Sequence, residues 1–200
     1  MAILLAAHPT AGHTSALRAI GVELIGRGHD VGFALMRARL PFPTRWPEPV
    51  RFAAELPTSV SADGIEVLAL RPPPAGLWHA ARLPRTSGQD ELADAIELFT
   101  SGTAAQARQI AQHAKNAGAS VIVGDYLMPA AMLAAQLADL PSVAVYHSAL
   151  PFPTDGAAPF GTSLPPSAEG TTAWRAGEAR LDELGARFDA RVTSAARSLR

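Results

Sequence analysis

Ala2-Ile-Leu-Leu-Ala-Ala-His8-Pro-Thr-Ala-Gly12-His13-Thr-Ser-Ala-Leu17 begins as an unbroken apolar run of strand length, turns at Gly12-His13 and passes into a helical pattern. A strand without apolar–polar alternation is one covered on both faces, as strands of parallel sheets are. Leu17, Ile20, Leu24 and Ile25 then recur at helical spacing, and Gly26-Arg-Gly28-His-Asp30 supplies the glycines that end a helix. A second apolar run, Val31 to Met36, follows at once. Strand, helix and strand thus fit within about 35 residues, the size of one βαβ unit.

Outward from this unit, apolar runs recur at Ile65 to Leu70, Val121 to Gly124 and Val143 to Tyr146. Between them lie helical patterns at Pro47 to Leu56, at Gln89 to Ala117 with a break at Ser101-Gly102, and at Pro129 to Ala138. A last, polar-faced helix starts at about Thr172 and still runs at Arg200. Asp63-Gly64 reads as the turn into the third strand, and residues 71–88 and 151–170 as long irregular loops. The alternation predicts an α/β fold, a Rossmann-like doubly wound parallel sheet with helices on both faces, in one domain over residues 1–200. The usual strand order for such a sheet, 3-2-1-4-5, opens a crevice at the carboxyl ends of strands one and four.

The 17 basic and 18 acidic residues nearly cancel, and no stretch concentrates Lys or Arg. That argues against nucleic acid or a membrane surface as the primary partner. The absence of cysteine excludes disulfides, thiolate metal clusters and a cysteine nucleophile, and suits a reducing cytoplasm. The apolar runs are too short to cross a bilayer. Met1 to Ala7 lacks a basic segment and a cleavage site, so it reads as a first strand.

Strand order also decides which loops reach a ligand. At the carboxyl edge lie His8 to Thr14, Met36 to Thr44, Arg71 to Gly88, Asp125 to Met128, and the residues from His147 onward; Gly28, His29 and Asp30 lie at the opposite edge. His13 and Asp125 are expected to face each other across the switch point. A carboxylate that holds Nδ1 orients an imidazole and makes Nε2 a better base, because it stabilises the imidazolium that forms. The plainer reading of Asp125 is a carboxylate at a helix entry, which helix electrostatics favour. His8 leaves strand one toward the same crevice and stands as an alternative base, or as a lining residue of a ligand site. Trp78-His79 and Phe152 sit on long loops, where an aromatic side chain either stacks on a ligand or pins the loop. His147 reads as pocket wall, Arg37 and Arg39 as solvated cations, and His29 and His113 as surface residues.

Gly12-His13 after the first strand, Gly26-Arg-Gly28-His-Asp-Val31 into the second, and Val121-Ile-Val-Gly-Asp125 before an Ala-rich helix resemble the nucleotide-sugar-dependent glycosyltransferases of family 1. Ser142-Val-Ala-Val-Tyr-His147-Ser148 looks like that family's fifth strand and following loop. The resemblance covers essentially the whole chain, as the amino-terminal, acceptor-binding half of the two-domain GT-B architecture. The donor-binding half is expected to lie outside this chain, and the chain alone to be inactive. Members commonly carry Gly-His-x-x-Pro, and Ala16 stands at the fifth position here.

The resemblance implies that His13 is the general base, assisted by Asp125, in an inverting transfer to a hydroxyl of a hydrophobic small molecule of the natural-product type. It implies a UDP- or TDP-linked sugar as co-substrate, with no further cofactor and no catalytic metal. His8, Gly12, Thr14, Trp78, His79, Met128, His147, Ser148 and Phe152 would bind substrate, and amides near Thr14 and Ser15 would meet the leaving diphosphate. Two other readings stand beside this one. A dinucleotide-binding oxidoreductase would need Gly-x-Gly-x-x-Gly after strand one, where Ala7 to Thr14 holds a single glycine. A noncatalytic binding module, or one half of a split transferase, would share every feature named.

Overall fold

Among the described residues, five short strands, each rich in Ala, Val, Ile or Leu, pair in parallel in the order β3-β2-β1-β4-β5. They are β1 (Ala2–Ala6), β2 (Asp30–Met36), β3 (Glu66–Leu70), β4 (Ala119–Asp125) and β5 (Ser142–Val145). The computed structural model describes residues 2–36, 48–71, 87–146 and 157–200. The connecting helices are α1 (Ala11–Gly26), α2 (Glu48–Ala62), α3 (Gly88–Thr100), α4 (Thr103–Asn116), α5 (Pro129–Ala138) and α6 (Thr172–Ser198). This is the Rossmann-like doubly wound sheet that the sequence predicts, with the predicted strand order.

Successive strand residues point to opposite faces, and both faces of β1 are covered. Leu4 and Ala6 pack with Ile122, Ile110 and Ala114 of α4, and Ala131 and Ala134 of α5. Ile3 and Leu5 pack on the other face with Val123, Phe33, Leu17 of α1, and Leu56 and Val60 of α2. Each enclosed Leu or Ile contributes about 1.5–3 kcal/mol over leaving it in water, which is why a five-residue strand with no polar side chain is pinned in register.

Several boundaries differ from expectation. Helix α1 begins at Ala11 after an extended Thr10, so Gly12 and His13 belong to its first turn rather than to a turn before it. Helix α2 does not stop at Leu56 but continues through Pro57 to Ala62. Proline in a helix interior forfeits a hydrogen bond, and burial of Leu56, Pro57 and Val60 offsets that loss. Pro47 lies outside the described residues. Strand β4 extends through Asp125, which is therefore its last residue and not the first of a loop. The expected break between α3 and α4 is present, with Gly102 at φ 70°, a conformation that glycine takes without steric cost.

Helix α6 opens with Thr171 accepting from the Trp174 amide at 3.3 Å, and it ends at Ser198, short of the chain's last residue where it was expected to be still running. It lies along α3. Arg187 and Arg191 bracket the carboxylate of Glu97, and the Gln89 side-chain amide donates to the Gly177 carbonyl at 2.9 Å.

Candidate active site

Strands β1 and β4 are neighbours with Ala6 beside Gly124, so whatever leaves the end of β1 meets the end of β4. After β1 the chain makes a tight turn, the Thr10 amide donating to the His8 carbonyl at 2.8 Å, and α1 starts. That short connection sets the first turn of α1 over the tip of β4.

His13 Nδ1 is hydrogen-bonded to Asp125 Oδ2. Asp125 is 0% exposed, and its Oδ1 accepts the Leu127 amide at 3.0 Å. Burial pushes its carboxyl pKa up, but the hydrogen bond and charge of His13 and the Leu127 N–H push harder the other way, so it lies below the usual carboxylate value. An ionised carboxylate only accepts, so the proton of the short contact sits on His13 Nδ1 and the ring's basic lone pair is on Nε2. The His13 side chain is 14% exposed, which leaves it reachable from outside while its partner is sealed in.

His8 occupies the same corner in a different way. Its ring is 1% exposed and stacks on Phe99 of α3 with centroids 4.5 Å apart. Nε2–H donates to the Leu127 carbonyl at 3.2 Å. Burial lowers its pKa to about 4, against the opposing pull of the nearby Asp125 carboxylate, so the ring is neutral at pH 7. Phe99 also meets His13 edge-on at 4.8 Å. Its ring therefore walls both imidazoles, whose own centroids are 6.3 Å apart.

Of the residues expected at the site, the structure brings together His13, Asp125 and His8. Gly12 lies exposed beside them in the first turn of α1, with open space where a Cβ would stand. Thr14 is 2% exposed and its hydroxyl donates back to the Thr10 carbonyl at 2.8 Å, so that group is engaged within its own helix. Met128 is 0% exposed in the core under α5, which removes it from any ligand-lining surface in this structure. His8, likewise enclosed, does not line an open crevice. Trp78, His79, His147, Ser148, Phe152, Arg37 and Arg39 fall outside the described residues.

His29 lies at the opposite edge as expected, on a cavity of about 430 Å³ that Asp30 and Glu66 also line. His113 is half-buried and its Nε2–H donates to the Ala69 carbonyl at 3.2 Å, so it is a structural group more than a surface one. Sequence reasoning missed Phe99, which carries no local signal of its place beside His8. It also missed the stacking of Tyr126 on Tyr146, centroids 4.9 Å apart, just beyond β4 and β5. Among the described residues no group of three or more His, Asp or Glu is placed to hold a metal ion, and no helix is long and apolar enough to cross a membrane.

No family model and no curated protein matches the sequence. Solved structures similar to parts of it include the spinosyn rhamnosyltransferase, at 19% identity and a TM-score of 0.48 over 72% of this chain and 34% of that one. A glycosyltransferase from Streptomyces sp. SF2575, complexed with thymidine diphosphate, matches at 14% identity and a TM-score of 0.49 over 72% of this chain and 38% of its own. A third, the glycosyltransferase VinC in complex with DTDP, matches at 16% identity and a TM-score of 0.45 over 92% of this chain and 38% of its own. The chain thus spans little more than a third of the length of these structures.

Proposed function

We propose that this chain is the acceptor-binding half of an inverting glycosyltransferase that moves a sugar from a nucleoside diphosphate to a hydroxyl of a hydrophobic small molecule. The observation that carries the reading is the His13–Asp125 pair at the β1/β4 switch point, a partly exposed imidazole on a fully buried carboxylate. The sequence resemblance of Gly12-His13 and Val121 to Asp125 to family 1 glycosyltransferases supports it.

In this reading Nε2 of His13 takes the proton of the acceptor hydroxyl as the oxygen attacks the anomeric carbon. The nucleoside diphosphate leaves from the opposite face with the bonding electron pair, and configuration inverts. Asp125 steadies the imidazolium that forms and fixes which nitrogen is basic. Holding both substrates in line across a cleft supplies a further part of the rate. The donor, UDP- or TDP-linked, is bound chiefly by a second domain outside these 200 residues, and the work is done in the cytoplasm without a catalytic metal or other cofactor. Gly12, Trp78, His79, His147, Ser148 and Phe152 meet the acceptor in this reading.

Calorimetric titration of the 200-residue chain with a panel of apolar hydroxylated compounds, nucleoside diphosphates and oligonucleotides tests the assignment. Heat of binding from the hydroxylated compounds, weakened by Gly12→Trp, is the expected result. A chain that binds none of them, or that binds only the oligonucleotides, would overturn it.

A further inference from the structure

The geometry points to His8 as a positioning residue for the His13–Asp125 pair: its Nε2–H holds the Leu127 peptide, and the Leu127 N–H in turn holds the Asp125 carboxylate that orients His13. The inference rests on the proposed function only for the use made of His13. The three links are on the page. His8 Nε2 reaches the Leu127 carbonyl at 3.2 Å, the Leu127 amide reaches Asp125 Oδ1 at 3.0 Å, and Asp125 Oδ2 is bonded to His13 Nδ1.

Leu127 is thus held on both sides of its Cα, its N–H by the Asp125 carboxylate and its C=O by His8. Residues 125 to 128 form a tight turn, closed by the Met128 amide on the Asp125 carbonyl at 2.9 Å. The 127–128 peptide is therefore gripped at both ends, its N–H by the Asp125 carbonyl and its C=O by His8 Nε2–H. Fixing that peptide fixes the Cα of Leu127, and with it the place from which the Leu127 N–H reaches the carboxylate. His8 is well suited to hold still. It is 1% exposed, follows the buried β1, and is clamped face to face on Phe99 at 4.5 Å.

A proton-transferring role fits the ring poorly. His8 is 1% exposed and its Nε2–H is committed to a main-chain carbonyl, so it acts through Asp125. The titratable groups facing it are Asp125 of β4 and His13 of α1. From α3 it meets the uncharged ring of Phe99.

The test is imidazole ¹H–¹⁵N NMR of the 200-residue chain across pH 5 to 8, comparing wild type with His8→Phe and His8→Gln. In the wild type His8 must be the neutral Nε2–H tautomer throughout. His8→Phe keeps an aromatic ring on Phe99 but removes the donor, and the His13 Nδ1–H resonance is expected to move upfield and exchange faster with water as its carboxylate partner loosens. His8→Gln retains an N–H donor and should return that resonance toward wild type. An unchanged Nδ1–H resonance in a folded His8→Phe protein overturns the inference. If that variant does not fold, the wild-type spectrum still decides: His8 as the Nδ1–H tautomer, or charged within this range, overturns it too. None of these signals requires sugar transfer. Loss of the glycosyltransferase reading would therefore appear as a chain that binds none of the hydroxylated compounds, not as a change in the His8 result.

Discussion

His13 Nδ1 and Asp125 Oδ2 form a hydrogen bond across 112 positions of sequence, one partner on the first turn of α1 and the other at the tip of β4. The pair exists because β1 and β4 are neighbours, although the chain between them passes, among the described residues, through α1, β2, α2, β3, α3 and α4. The carboxylate is wholly buried and the imidazole is not. That asymmetry allows one group to orient and the other to react.

Asp125→Asn keeps the shape of the side chain but removes its charge and can leave His13 with the wrong nitrogen protonated. Transfer by the complete enzyme is expected to fall by about 10²–10⁴-fold in kcat/KM, with little change in acceptor KM. Steady-state kinetics at saturating donor checks it. Loss in KM alone would assign the residue to acceptor binding.

Stability should decline on acidification through the range set by His8. The folded-state pKa, about 4, lies below the ordinary 6.5, so between those values the unfolded chain takes a proton that the folded chain refuses. The contribution is fully present above pH 6.5 and is lost as pH falls to 4, a change of about 3 kcal/mol. The Asp125 pKa is also lowered, so its stabilising contribution is present above its ordinary 3.8 and fades only below that value. Urea unfolding at pH 4, 5, 6 and 7 should therefore show a slope that His8→Phe flattens.

Three glycines separate space from function. A Cβ at Gly124 would stand 2.5 Å from Ala131 Cβ and 2.8 Å from Met132 Cε, so Gly124→Ala must push α5 off β4. A cost of about 1–3 kcal/mol is expected, read as a lower Tm. At Gly21 the obstacles are the ends of the Ile65 and Leu5 side chains at 2.9 Å, which can turn aside, and the cost should be smaller. Gly12→Ala meets nothing within 4 Å and replaces a poor helix former, so it should raise stability by up to about 1 kcal/mol. Weaker acceptor binding by this more stable variant would place Gly12 at the acceptor surface.

Glu97→Gln removes the charge that Arg187 and Arg191 share. Both arginines are substantially exposed, so a loss of about 1 kcal/mol or less is expected. Faster amide exchange confined to α3 and α6 would locate it, and exchange spreading through the sheet would contradict it.

The strand order and the pairing of His13 with Asp125 were legible because both follow from short-range patterns joined by one topological rule: apolar runs, helix stops and the neighbouring of strands one and four. What was not legible depends on contacts between distant elements. Pro57 looks like a helix stop until Leu56 and Val60 are seen packed under it against the sheet. Met128 and Thr14 sit at the correct edge, but their side chains turn inward, which a position along the chain does not reveal. His8 reads as a rival base until Phe99 arrives from α3 to enclose it. Phe99 itself is one apolar residue on an amphipathic helix, and nothing nearby in sequence marks which apolar residue of that face will reach the histidines.

The most direct test of the central claim is kcat/KM for sugar transfer by this chain combined with the donor-binding domain proposed for it, measured for wild type, His13→Ala and His29→Ala. The His13 variant should lose about 10²–10⁴-fold or more, while the His29 variant, altered at the far edge of the sheet, should stay close to wild type. Transfer by the His13 variant at the wild-type rate would contradict the assignment of His13 as the base.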